Sequence, residues 1–148
     1  MFAHSLQPAP HRNVMHLRRI LEQPESFSVL LDFVAAQHPD DFYILEIWSD
    51  ANDCAAHPND AASVSASRTL CQALLAAPAV RLLDGRRELG RQIKAYKMMH
   101  VRGGGGGGGT PQSLSLSLCN LIKEACVHTL ATEIYPYFRR DCAQFKEV

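Results

Sequence analysis

Apolar residues recur along this chain at spacings of three and four, the period of a helix buried along one side. Asn13 can cap a first stretch in which Val14, Leu17, Ile20 and Leu21 share a face, with Pro24 as the stop. Ser26 is positioned to cap the next, where Phe27, Leu30, Leu31 and Val34 fall at i, i+3, i+4 and i+7. Pro39 disfavours helical geometry at His38, and Pro39-Asp40-Asp41 supplies a first-turn proline and two acids suited to the positive start of a new helix.

That helix reads Phe42-Tyr43-Ile44-Leu45-Glu46-Ile47-Trp48, apolar nearly all round, which predicts a core position for it and for Trp48. A buried strand has the same short-range pattern, but the acids before the run and Ser49 to Asp53 after it favour helix. Cys54 to Ala62 reads as a loop. Helical spacing resumes at Val64, Arg68, Cys71, Leu74 and Leu75 and ends at Pro78. Asp84-Gly85 is a turn and a cap for a helix carrying Leu89, Ile93 and Tyr96 on one face, closed by Met98 and Met99.

Gly103 to Gly109 is an unbroken glycine run with no side chains to pack, expected to be a flexible loop. Thr110-Pro111 then offers a cap and first-turn proline for a long helix in which Leu114, Leu118, Leu121 and Ala125 align. Leu114, Leu116 and Leu118 also alternate like a strand. Pro136 stands at a last helix start, followed by Phe138, Cys142 and Phe145 at helical spacing. Seven helical segments without a convincing strand pair make an all-α, single-domain bundle: residues 1–12 as a flexible tail and residues 13–148 as the domain.

Composition narrows the function. The 148 residues carry 47% apolar and 20% charged side chains, ordinary for a globular protein. Fifteen basic residues offset fifteen acidic ones, so no broad positive field gathers nucleic acid or anionic lipid, and such binding has to be local. Nucleic acid is therefore not an expected partner, while peripheral association with a membrane stays open. The start lacks the apolar run of a secretory signal. The apolar stretch Leu70 to Leu83 is broken by Pro78 and Arg81 and falls short of the roughly 18 residues a bilayer requires. Five irregularly spaced cysteines suit free thiols in a reducing compartment, so the expected location is cytoplasmic.

Catalytic chemistry finds little support. Cys119, Cys126 and His128 lack the paired spacing of zinc ligands and read as core residues. Cys126 and His128 point about 200° apart on a helix and make no nucleophile–base pair. The glycine run has neither a preceding strand nor a following Lys-Ser/Thr, so it is no phosphate loop. No catalytic residue, metal or cofactor is expected.

Three blocks carry a resemblance: Phe27 to Val34, Asp40-Asp41-Phe42 to Trp48, and Ile134-Tyr135-Pro136-Tyr137-Phe138-Arg139-Arg140. In that order they resemble the Phe-rich early helix, acid-started central helix and Tyr-x-x-Phe last helix of regulator-of-G-protein-signalling (RGS) homology domains. Val80-Arg81-Leu82-Leu83-Asp84 is similar to the family's segment between middle helices, and the resemblance covers about Leu17 to Val148. It implies an RGS-like helical domain in G-protein signalling, with a Gα subunit as partner. Activating members do no chemistry themselves; they hold the glutamine and arginine of Gα in the transition-state arrangement.

The implied binding face consists of Asp41, Phe42, Arg81, Leu82, Glu133, Ile134 and Tyr137. Asp41-Phe42 replaces a common Glu-Asn, Arg81 or Leu82 stands where another asparagine is expected, and Ile134 and Tyr137 replace a serine and an arginine. An asparagine donates and accepts together and an arginine grips a carboxylate bidentately, whereas Phe42 and Ile134 do neither. The face is expected to be apolar and aromatic, to bind protein, and to accelerate GTP hydrolysis weakly or not at all. The alternative is a helical scaffold or trafficking adaptor without a GTPase partner.

Overall fold

Proline placement sets where the chain of helices breaks. In a computed structural model describing residues 10–101 and 112–142, α1 (Pro10–Glu22) and α2 (Pro24–Gln37) are separated by Gln23 alone. Pro24 occupies the first turn of α2, where its missing N–H is no loss. The expected tail therefore ends earlier, because Pro10 to Arg12 already belong to α1 and only residues 1–9 of it lie outside the described residues. Asn13 sits inside α1 instead of capping it, with its side chain buried.

Ser26 is likewise no cap. Its hydroxyl donates to the carbonyls of Ile20 (2.8 Å) and Gln23 (3.2 Å), the first a group left open at the end of α1. After α2, His38 leaves the helical region (φ −139°, ψ 55°), as a residue before proline is biased to do. Pro39–Asp41 forms a 3-10 turn before α3 (Phe42–Ala56), so the expected helix start is divided in two. Helix α3 continues through Cys54, leaving a shorter loop before α4 (Ala61–Leu74).

A 3-10 turn at Ala79–Leu83 and Gly85, whose φ of 73° suits a residue without Cβ, lead into α5 (Arg87–Tyr96). A π-type turn at Lys97–Val101 closes α5. The glycine run 103–109, the proposed cap Thr110-Pro111 and Phe145 lie outside the described residues. Helix α6 (Leu116–Glu133) is capped by Ser115, whose hydroxyl accepts the Leu118 N–H at 3.1 Å. The last helix, α7 (Tyr135–Asp141), carries Pro136 in its first turn as expected. Among the described residues the fold is all-α, with seven helices and no strand.

The chain divides into two compact units. The first holds the described residues up to Phe42 and from Val127 onward; the second holds Tyr43–Cys126. In the first, Leu17, Leu30, Val34, Leu130 and Phe138 are almost fully buried, and the rings of Phe33 and Phe138 meet edge-on with centroids 5.3 Å apart. Such aromatic pairs add about 0.5–1.5 kcal/mol beyond the burial itself.

The second unit is built on α3, where Ile44, Leu45, Ile47 and Trp48 are all buried, as an all-round apolar helix requires. Lys123 reaches over Trp48, its Nζ 5.3 Å from the ring, and donates to Asn52 Oδ1 at 2.8 Å. Leu114 is buried, but in an irregular segment ahead of α6. Its N–H donates to the buried Ser67 hydroxyl at 2.9 Å, while Tyr96 donates to Gln112 O at 2.7 Å and the Asn59 N–H to Ser113 Oγ at 2.8 Å. These bonds take the place of helical ones, which is why the helix begins later than Thr110-Pro111 suggests.

Candidate protein-binding surface

Of the seven residues expected to form a binding face, Asp41, Phe42, Glu133, Ile134 and Tyr137 fall in the first unit and Arg81 and Leu82 in the second. Asp41 and Phe42 are half-buried where the 3-10 turn passes into α3, and the Asp41 N–H donates to His38 O at 2.9 Å. Glu133 is exposed at the end of α6. Tyr137 is 45% exposed on α7, a large apolar ring open to solvent.

Two members turn inward. Ile134 is 1% exposed and Leu82 is fully buried. What Ile134 offers instead is backbone: its carbonyl accepts the Tyr137 and Phe138 N–H groups at 3.0 and 3.1 Å and so opens α7. Leu82 is held in the 3-10 turn by Arg86, whose Nη1 donates to its carbonyl at 2.9 Å. Helical spacing marks both as apolar but does not say which side of a short turn faces the core, and burial of a Leu or Ile side chain is worth about 1.5–3 kcal/mol. Both are core residues and leave the binding face.

Around Tyr137 the structure gathers residues that sequence spacing does not connect. The His38 ring lies 5.6 Å from Phe33 and 5.4 Å from Tyr137, both tilted, and the Arg140 guanidinium sits 5.2 Å from the Tyr137 ring centre. Arg140 also donates to Asp141 at 2.9 Å, which holds the Asp141 carboxyl below its usual range. His38, Tyr137 and Arg140 thus form an aromatic and cationic strip that begins beside Asp41. The sequence signal for His38 is Pro39, which forces it out of α2; nothing in the spacing pairs it with α7.

In the second unit, Arg81 Nε donates to the Tyr43 hydroxyl, and its guanidinium lies 5.7 Å from the Tyr43 ring. An arginine stacked on a tyrosine keeps donors at the surface while its stem packs.

Cysteine chemistry is disfavoured by environment. Cys54, Cys71, Cys119 and Cys126 are free and buried, and burial raises all four thiols, Cys119 to about 11 and Cys126 further. A thiol held that high yields little of the thiolate that attacks a substrate. Among the described residues, no group of three or more His, Cys, Asp or Glu side chains is placed to hold a metal. No helix among them is long and apolar enough to cross a membrane.

Comparison with protein-family models, with curated proteins and with solved structures gives no match in any of the three.

Proposed function

We propose that this chain is an RGS-like protein-interaction domain that regulates G-protein signalling by binding a Gα subunit, with little or no acceleration of GTP hydrolysis. The supporting observation is the junction at His38. Its carbonyl anchors Asp41 at the start of the central helix, and its ring packs on Tyr137 of the last helix. Two blocks nearly a hundred residues apart thereby contribute to one surface strip. Asp41, Phe42, Glu133 and Tyr137, joined by His38 and Arg140, are the proposed contacts of this unit, and Arg81 is the proposed contact of the other.

The strip suits recognition better than catalysis. Tyrosine and arginine dominate the energetics of protein interfaces because they bury much area and still donate hydrogen bonds. None of the residues left on the face carries a side-chain amide to orient a catalytic glutamine. The test is single-turnover GTP hydrolysis by a panel of Gα subunits with and without excess domain. Little or no acceleration is expected, and strong acceleration contradicts the view that the missing asparagines matter. Phe42→Asn with Tyr137→Arg should raise the rate if the face engages Gα, whereas no response favours a scaffold without a GTPase partner.

A further inference from the structure

On α1, Arg12, Met15, His16 and Arg19 stand at i, i+3, i+4 and i+7 and form one stripe, while Val14, Leu17, Ile20 and Leu21 supply the buried side. Arg12 and Arg19 are exposed, and Met15, between them, is 40% exposed. From α7, Tyr135 meets His16, hydroxyl to Nδ1 at 2.5 Å, and Arg139 follows half-buried one turn later.

The charges acting on His16 report how this face is composed. Partial burial lowers its pKa, and Arg139, Arg19 and Arg12 each lower it further, with no carboxylate acting in the opposite sense. Three arginines from two helices therefore bear electrostatically on one ring. Among the described residues, Arg12, Arg19 and Arg139 form no salt bridge. On a chain whose formal charges sum to zero, this is a local positive face with an exposed apolar side chain at its centre.

We propose that this face docks onto the anionic surface of a lipid bilayer, the three arginines meeting lipid phosphates and carboxylates and Met15 reaching the boundary with the acyl chains. Long basic side chains bury their stems along an apolar surface and keep their heads among polar groups, the geometry a bilayer interface demands. The apolar side of α1 is committed to the core, so attachment is electrostatic and shallow, not an insertion of the helix. The proposal uses none of the residues of the proposed Gα contact. Arg139 and Tyr137 are two apart on α7 and point to different sides of it.

The experiment is co-sedimentation of the full chain with phosphatidylcholine vesicles, with and without phosphatidylserine. Binding should require phosphatidylserine and weaken steeply with added salt, as exposed charge attraction is screened. Arg12→Gln with Arg19→Gln, both at exposed positions, should weaken it about 25-fold, and adding Arg139→Gln should bring the loss to about 125-fold, at roughly fivefold per arginine. Circular dichroism checks that the variants stay folded. Arg91→Gln with Lys94→Gln, basic positions on α5, should leave binding within about twofold.

Equal binding to neutral vesicles, or a control variant as weak as the triple variant, overturns the proposal. A second readout is the His16 ring by NMR. Bound phosphatidylserine vesicles should raise its pKa, and a saturable response to inorganic phosphate without any vesicle binding would assign a small-anion site instead.

Discussion

His16 and Ser67 show how much single polar groups decide here. The folded His16 ring binds its proton less readily than the usual value of 6.5 implies, first through burial and then through its arginines. The unfolded chain therefore takes up more protons as pH falls below about 6.5, and stability declines until the pH passes the lowered folded value. His16→Gln should flatten this part of the stability–pH curve relative to the parent; an unchanged slope in urea unfolding between pH 5 and 7 contradicts the assignment. Ser67 is fully buried and accepts the Leu114 N–H. Ser67→Ala strands that donor and should cost about 1–3 kcal/mol, read as a lower urea midpoint. Neither role is fully legible in the sequence, because the Ser67 bond and the packing of His16 against Tyr135 each involve a partner 47 or more positions away. Trp48, in contrast, was legible because an all-round apolar helix has nowhere else to put it.

Apolar spacing makes the helices legible in the sequence and their ends less so. Apolar periodicity locates most of the helices, and the acids before Phe42 with the polar residues after Trp48 locate α3, whose run is apolar nearly all round. The ends depend on which of several competing caps wins. Ser115 caps α6 because Ser67, Asn59 and Tyr96 hold the segment from Gln112 to Leu114 out of the helix. Ser115→Ala should then cost about 0.5–2 kcal/mol, measured by thermal unfolding, whereas a substitution without effect would place the start of α6 elsewhere. Asp84-Gly85 was legible as a turn, since the positive φ at Gly85 is what such a pair supplies. Leu82 and Ile134 mark the opposite case: each lies at a short turn or helix junction where a modest rotation exchanges surface for core, and spacing cannot resolve that.

For the whole molecule, the central proposal is that the strip formed by Asp41, His38, Tyr137 and Arg140 recognises a protein, and that the protein is a Gα subunit. The helical class follows from pattern alone; the strip does not, because His38 and Tyr137 meet only once α2 and α7 pack. Calorimetric titration of the chain into Gα carrying GDP and aluminium fluoride, and into Gα carrying GDP alone, tests this most directly. Saturable binding that prefers the aluminium fluoride state is expected, weakened about 30-fold by Tyr137→Ala, a loss near 2 kcal/mol as for an exposed aromatic anchor. Equal affinity for both states, or a Tyr137→Ala variant that binds as tightly as the parent, contradicts it.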